Sequence, residues 1–328
     1  MRIIHDHGVY LPGPGLRLDP QRPQPFAVVT HAHSDHVQAH DEVVATAATA
    51  ALMRRRGVTR PRFRTPQLHE PVAYGAATVT LYPAGHVLGS AQVLVEWEGS
   101  RCLYSGDFKL RHGRTAEPAE VPEADVVIME TTFGKPRYQL PPVPEVEERL
   151  RGFCRQAMAD GCTPVLFCYS LGKGQEVLAI LEGEPYPIYL QNEHWDTTVV
   201  YREFGVSFPE HRKFQPGQKL DGVLLCAQQC RKAAWFQRLG SVRTACVTGW
   251  ALDRGAAYRY RTDAAFPLSD HADYHELLEY VRLTRADRVY TLHGFAEEFA
   301  GDLRRRGLWA EPLRAPPAAA PLQLSLFE

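Results

Sequence analysis

Short apolar segments alternate with turn residues through the first 130 residues, and this pattern restricts the fold more than any other feature of the chain. Several segments have period two, which is typical of strands with one buried face. The segments are 26–31, 42–46, 77–85, 91–97, 101–107 and 124–132. Residues 46–57 interrupt them with a pattern that favours a helix ending at a glycine. We therefore predict a layered, β-rich body.

From about residue 136 the pattern changes to alternating helices and strands. A proline-rich entry leads into a predicted helix, and a strand, a glycine-rich turn and another helix follow, as in parallel α/β structures. After about residue 250, a predicted helix and strand return the chain to the first body. The predicted division is 1–135 for the start of the first body, 136–250 for an α/β insert, 251–314 for completion of the first body, and 315–328 for an Ala/Pro linker with a terminal peptide.

Composition limits the classes of function. The 328 residues are 45% hydrophobic and 23% charged, as in ordinary globular proteins, and no apolar run has the length of a membrane span. The first ten residues lack the apolar core of a signal peptide, and the seven cysteines contain no C-x-x-C pair, so we expect a reducing, cytoplasmic setting. A net charge of −1 gives no global attraction to nucleic acid, so any such contact must come from local patches.

The sequence HAHSDH follows the first predicted strand and concentrates four potential metal ligands in six positions. His31 and His33 are two residues apart, so at the end of a strand their side chains point the same way. Asp35 and His36 follow in the loop and can turn toward the same point. Imidazoles and carboxylates are the ligands of zinc-like divalent ions, whereas such dense spacing has no purpose in packing. We predict a metal site here.

Further donors stand where other apolar segments end beside glycine: His86 in AGHVLGS, Asp107 in SGDF and His293 in TLHG. Strand ends are where layered α/β folds position their chemistry. Each of these residues taken alone is more typical of a cap or a solvated loop. We expect no functional role for His5, His7, His40, His69, His112, His194, His211 and His275.

In chain order, HAHSDH, GHVLGS, SGDF, METTFG, SDHAD and LHG resemble the motifs of the metallo-β-lactamase superfamily in its β-CASP nuclease branch. The resemblance spans nearly the whole chain. Within that branch, PAGHVLGSAQV, LFCYSLGKGQ, TGW and LSDHADY are most similar to bacterial DNA exonucleases associated with ATP-dependent DNA ligases.

The resemblance implies an α/β fold, namely a four-layer αββα sandwich with the β-CASP domain inserted as a lid over a metal cleft. It implies two divalent ions, zinc with manganese as the alternative. His31, His33 and His86 would bind one ion, Asp35, His36 and His293 the other, and Asp107 would bridge both. Asp35 would also orient the attacking water and take its proton.

The same pattern pairs Glu130 of METTFG with His271 of SDHAD, so that His271 protonates or stabilises the leaving oxygen. Without this resemblance, the local sequence indicates a strand-end cap for Glu130 and a surface residue before a helix for His271. In CYSLGKGQ, Ser170 and Lys173 flank a glycine turn that opens a helix, which predicts a phosphate contact. An ordinary turn remains the alternative.

We expect the chain to be a metal-dependent exodeoxyribonuclease that acts in DNA repair on single-stranded or duplex ends, with attack from the 5′ end. Six arginines between residues 54 and 64 are either a phosphate contact or a solvated helix end. The alternative function is an RNA-processing β-CASP ribonuclease, because RNA-processing members carry histidine at the position of His293. A catalytically silent nucleic-acid-binding platform is disfavoured by the complete ligand set.

The terminal QLSLF resembles the peptide with which bacterial repair enzymes dock onto the β sliding clamp. Gln323, Leu324, Leu326 and Phe327 would make this contact, with the Ala/Pro segment as a tether. A packed edge strand is the alternative. An ATP-dependent DNA ligase is the expected functional partner, and no membrane partner is expected.

Overall fold

The computed structural model describes residues 1–314, and the predicted linker and clamp peptide lie outside this range. Two mixed β-sheets form the first body. The first sheet has the strand order β1-β2-β3-β4-β5-β6, and the second has the order β19-β18-β11-β10-β9-β8-β7. Within the described residues, no helix has the length and apolarity needed to cross a membrane.

The strands of the first sheet are β1 (Ile4–His5), β2 (Val9–Leu11), β3 (Leu16–Leu18), β4 (Phe26–Val28), β5 (Glu42–Val44) and β6 (Arg62–Arg64). Those of the second are β7 (Val72–Tyr74), β8 (Ala77–Pro83), β9 (Ala91–Trp97), β10 (Ser100–Tyr104), β11 (Val126–Glu130), β18 (Arg288–Leu292) and β19 (Trp309–Pro312).

The two sheets pack face to face through period-two side chains such as Leu16 and Leu18 from the first sheet and Val93 and Val95 from the second. Helix α1 (Ala47–Arg55) covers the outer face of the first sheet. Helices α6 (Tyr274–Thr284) and α7 (Ala296–Arg305) cover the outer face of the second. This arrangement is a four-layer αββα sandwich, so the predicted fold class is confirmed.

A third sheet of six parallel strands forms the inserted α/β part, in the order β14-β13-β15-β12-β16-β17. Its strands are β12 (Thr163–Phe167), β13 (Ile188–Leu190), β14 (His211–Lys213), β15 (Val223–Cys226), β16 (Val242–Val247) and β17 (Ala264–Phe266). Its helices are α2 (Val143–Ala159), α3 (Lys173–Ile180), α4 (Asn192–Glu203) and α5 (Ala256–Tyr260). Strand β17 pairs with β16 although it lies beyond residue 250, so this sheet extends past the predicted end of the insert. The division into domains stays a prediction.

Local contacts fix the loops that carry the predicted site. Thr46 caps α1 by accepting a hydrogen bond from Thr49 N, and its own hydroxyl donates to the carbonyl of Gly89 at 2.6 Å. This contact ties the loop after β8, which carries His86, to the first sheet. Gly85 has φ +77°, and a Cβ there would lie 2.4 Å from the carbonyl oxygen of Lys109, so only glycine allows this close approach.

Candidate metal centre

Four side chains from three separate loops converge at the cleft between the sandwich and the insert. One donor atom from each of His31, His33, His86 and Asp107 lies within 4.8 Å of the others. Nδ1 of His33 lies 3.1 Å from Nε2 of His31 and 3.0 Å from Nε2 of His86. Oδ2 of Asp107 lies 3.5 Å from Nε2 of His31. The sequence therefore named four residues that the fold does bring together.

In His33 and His86, the hydrogen bond of the outer ring nitrogen, which faces away from the cleft, shows that the inner nitrogen carries the lone pair. Nδ1 of His86 lies 2.9 Å from the carbonyl oxygen of Asp270, and Nε2 of His33 lies 3.2 Å from that of Leu171. A carbonyl oxygen only accepts, so both outer nitrogens carry the proton. The inner nitrogens, Nε2 of His86 and Nδ1 of His33, then face the cleft as acceptors.

Asp19 and Thr30 orient the other two histidines in the same way. Oδ2 of Asp19 accepts from Nδ1 of His36 at 2.8 Å. The Thr30 hydroxyl donates to Asp19 at 2.6 Å, so it accepts from Nδ1 of His31, which lies 3.0 Å away. Nε2 of His31 therefore presents a lone pair to the cleft, and Nε2 of His36 does so when a cation replaces its proton. Neutral imidazoles with lone pairs facing a shared carboxylate are the donor set that a divalent ion requires, so these residues fit a bound metal.

The electrostatics of His31 and His86 agree with this assignment, and those of His36 favour a cation beside it. Burial, together with neighbouring histidines, holds the pKa values of His31 and His86 well below the ordinary value, so both rings are neutral. Burial also opposes a charge on His36, but Asp19 and Asp107 outweigh it and raise the pKa of His36 to about 10. The carboxylates that favour a proton at Nε2 of His36 equally favour a metal cation there.

The donor atoms of the second predicted ligand set lie farther apart than those of the first. Nε2 of His36 lies 3.7 Å from Oδ2 of Asp35 and 3.7 Å from Oδ2 of Asp107. His293 is exposed, and its ring centroid lies 6.2 Å from that of His36. Asp35, His36 and His293 line one small cavity together with His5, whose Nδ1 is buried without a hydrogen-bond partner among residues 1–314. The metal roles of Asp35, His36 and His293 stay predictions.

Glu130 and His271 form a pair beside the first ligand set. Oε1 of Glu130 lies 2.9 Å from Nδ1 of His271, and its carboxylate also accepts from the backbone N–H groups of Phe108 and Thr132. Burial disfavours a charge on His271, but Glu130 and Asp107 outweigh it and raise the pKa of His271 to about 9. The His271 ring centroid lies 4.8 Å from that of His86, so the imidazole borders the cleft.

Ser170 and Lys173 both line the cleft. The Lys173 side chain is buried, and its Nζ lies 2.7 Å from Oδ1 of Asp270. Lys109 lies 3.7 Å from the same oxygen. The charge of Lys173 therefore already has a buried partner, and a phosphate contact by Ser170 and Lys173 stays a prediction.

Sequence reasoning missed two groups of residues. Asp19 directly follows the short strand β3 and precedes a proline, so the only sequence signal was an acidic residue at a strand end. In the structure, Asp19 has φ +44°. Asp270 adjoins His271, and Lys109 lies two residues after Asp107, but nothing in their local pattern indicated that Lys109 and Lys173 both meet Asp270.

No family model matches the chain. The chain is 50% identical over 317 residues to a probable DNA ligase of Opitutus terrae, an alignment that covers 94% of this chain and 31% of the relative. It is 31% identical over 149 residues to the endoribonuclease YSH1 of Yarrowia lipolytica, covering 45% of this chain and 17% of the relative. It is 28% identical over 243 residues to the RNase aCSPSF2 of Saccharolobus solfataricus, covering 62% of this chain and 49% of the relative. The chain spans less than half the length of each of these relatives.

Among solved structures, the fold is similar to a protein of unknown function from Enterococcus faecalis V583. The TM-score is 0.56 at 13% identity, and the match covers 83% of this chain and 76% of the other. This likeness concerns the fold alone.

Proposed function

Because this chain belongs to the β-CASP branch of the metallo-β-lactamase superfamily, we propose that it is a metal-dependent exonuclease that hydrolyses phosphodiester bonds in DNA. The observation that carries the proposal is the convergence of His31, His33, His86 and Asp107 beside the Glu130–His271 pair. Four oriented donors and a paired histidine in one cleft suit the hydrolysis of a charged ester better than a structural metal site, which is closed to substrate.

His31, His33, His86 and Asp107 would hold one divalent ion, and Asp107 would share a second with Asp35, His36 and His293. Zinc suits this histidine-rich donor set, and manganese is the alternative. When bound, such ions supply a nucleophile from water at neutral pH and offset the charge of the phosphate.

Asp35 and His271 would move the protons. The Asp35 side chain is 72% exposed and faces the cleft, where its carboxylate can accept a proton from the attacking water. Glu130 fixes Nδ1 of His271 as a donor, which leaves Nε2 of His271 to give a proton or a hydrogen bond to the leaving oxygen. The Glu130 carboxylate would act only through His271.

A relative named as a probable DNA ligase supports DNA as the substrate. We further propose repair of DNA ends, with an ATP-dependent ligase as functional partner. Attack from the 5′ end remains part of the proposal. The second candidate is an RNA-processing ribonuclease, which His293 and the relatives named endoribonuclease and RNase favour.

The experiment is end-resolved cleavage of DNA and RNA of one sequence, labelled at either the 5′ or the 3′ end, with zinc or manganese. We expect DNA to be shortened from one end, and Asp35→Ala to abolish turnover. Cleavage of RNA with no cleavage of DNA would establish the alternative. Absence of cleavage of both substrates by protein with bound metal would exclude both.

Docking of the terminal QLSLF onto a sliding clamp is a separate proposal about residues outside the described range. A chain lacking residues 323–328 should lose clamp binding and keep metal-dependent cleavage. A large loss of thermal stability would instead favour a packed strand.

A further inference from the structure

Tyr169 is a large aromatic residue that the fold holds in solvent. It follows strand β12, and its carbonyl oxygen accepts from Gly174 N at 2.8 Å at the start of α3, so its backbone is fixed. Its side chain is nevertheless 72% exposed. A ring in this position adds little to the core, and its exposed face is available to a ligand.

Two adjoining cavities meet at Tyr169. The first is the metal cleft of about 380 Å³, which His33, His86 and Asp107 also line. The second, of about 180 Å³, lies over the carboxyl ends of β12, β15 and β16. Tyr169 and Thr248 line both cavities, so they form one groove that leads from the metal centre across the Tyr169 ring. The carboxyl ends of parallel strands are the usual ligand-binding edge of such sheets.

The lining of the second cavity suits a base better than a phosphate. Gln228, Gln229 and Tyr260 line it, and no lysine, arginine or carboxylate does so among the described residues. Oε1 of Gln228 is buried without a hydrogen-bond partner within residues 1–314, while its Nε2 donates to the carbonyl of Tyr260 at 2.8 Å. A buried acceptor without a donor is costly, and a small shift of the Gln228 amide toward the cavity would let an N–H group of a base edge reach it.

We infer that this groove binds an unpaired nucleotide of the substrate beside the scissile phosphate, with its base stacked on Tyr169 and its edge facing Gln228. The inference rests on the proposed function and makes it specific, because a base inside a duplex has both faces covered, and a paired base at a duplex end has no free Watson–Crick edge to face Gln228. The substrate is therefore a single strand or an end that has come apart. Stacking on aromatic side chains is how single-stranded nucleic acids are bound without sequence preference.

The test compares Tyr169→Ala and Tyr169→Phe with the wild type on two substrates, single-stranded oligothymidylate and the small phosphodiester bis(p-nitrophenyl) phosphate. The alanine variant should lower kcat/KM for the oligonucleotide by about 5- to 100-fold, which is the change that loss of one stacked base produces. Most of the change should be in KM, and the loss on the small ester should be much smaller. Tyr169→Phe keeps the ring and should retain most of the oligonucleotide activity.

Tyr258→Ala is the matched control, because Tyr258 is 90% exposed but lies outside both cavities. Unchanged oligonucleotide kinetics in Tyr169→Ala would overturn the inference. Equal losses on both substrates, or a phenylalanine variant as impaired as the alanine variant, would also overturn it. Equal wild-type activity on blunt duplex and single strand would contradict the requirement for an unpaired end.

A binding measurement distinguishes failure of the base-binding groove from failure of the proposed nuclease function. A fluorophore-labelled phosphorothioate oligothymidylate, which resists cleavage, is titrated into each protein and followed by anisotropy. We expect the wild type to bind this oligonucleotide and Tyr169→Ala to bind it about 5- to 100-fold more weakly. That result would support base binding in the groove even if no cleavage is seen, in which case only the proposed function would be wrong. Equal affinities would exclude the groove whatever the activity.

Discussion

Oδ2 of Asp19 lies 2.8 Å from Nδ1 of His36, and the same carboxylate receives hydrogen bonds from both the backbone N–H and the hydroxyl of Thr30. Asp19 thereby fixes the orientation of His36 directly and that of His31 through Thr30. Partners of this kind hold metal-ligating imidazoles in one tautomer and raise their basicity.

Asp19→Asn should lower the affinity for the metal by about 10- to 100-fold, because the amide keeps the shape of the carboxylate and loses its charge. Competition with a chromophoric chelator measures the affinity. Asp221→Asn is the control, since Asp221 accepts from the Tyr189 hydroxyl on the third sheet and should leave metal affinity unchanged. Wild-type affinity in Asp19→Asn would show that Asp19 does not support the ligands.

Glu130→Gln should lower kcat by more than about tenfold at nearly unchanged KM, because the amide no longer favours a proton on His271. Glu130→Asp should recover part of the loss. Metal content, measured on the same samples, should equal that of the wild type. A parallel rise in KM, or loss of metal, would assign Glu130 to substrate or metal binding instead.

Arg56 is the member of the Arg54–Arg56 cluster that lines the metal cleft. Arg55 is paired with Asp196 and Arg54 lies over the Phe63 ring, whereas Arg56 has no ion pair within residues 1–314. Arg56→Ala should weaken binding of single-stranded DNA and reduce the slope of log K against log salt by about 0.7.

Arg54→Ala serves as the comparison for Arg56→Ala and should leave the salt slope unchanged. Affinities measured at several salt concentrations give the slope. An unchanged slope in Arg56→Ala would mean that Arg56 contacts no phosphate.

Lys173→Met should destabilise the fold by about 3–5 kcal/mol at most, because it removes the nearest cation from the buried Asp270 and leaves Lys109 at 3.7 Å. Urea unfolding measures the change in free energy of unfolding. A role for Lys173 in phosphate binding alone predicts wild-type stability with weaker DNA binding, so the two readouts separate the roles.

Burial lowers the pKa of His194 to about 4. Between pH 6.5 and pH 4, the unfolded chain binds a proton that the folded chain does not, so stability falls as pH falls through this window. The contribution is about 1.4 kcal/mol per pH unit. His194→Asn should flatten the dependence of unfolding free energy on pH by that amount, and an unchanged slope would show that the folded ring titrates normally.

Much of the secondary structure could be predicted from the sequence, because its signals are local. The helix predicted after residue 250 is α6, whose amphipathic sequence spans residues 274–284, and the predicted strand at residues 91–97 coincides with β9. Helix α7 was not predicted, although its buried Phe299, Ala300 and Leu303 are spaced at three and four residues. The end of the insert could not be predicted from the local pattern either, because β17 belongs to the third sheet through its pairing with β16.

The sequence by itself determined the donor types, because HAHSDH places imidazoles and a carboxylate at strand-end spacing that packing does not require. Only the tertiary structure decided which residues meet them. Asp19 reaches His36 across 17 positions, and Asp270 meets Lys173 across 97. The same holds for Tyr169, whose exposure depends on how three parallel strands end beside the metal cleft. Helices and strands leave a periodic pattern in the local sequence, which is why they could be predicted. Contacts between distant residues depend on how whole elements pack, and a single sequence carries no local signal for that packing.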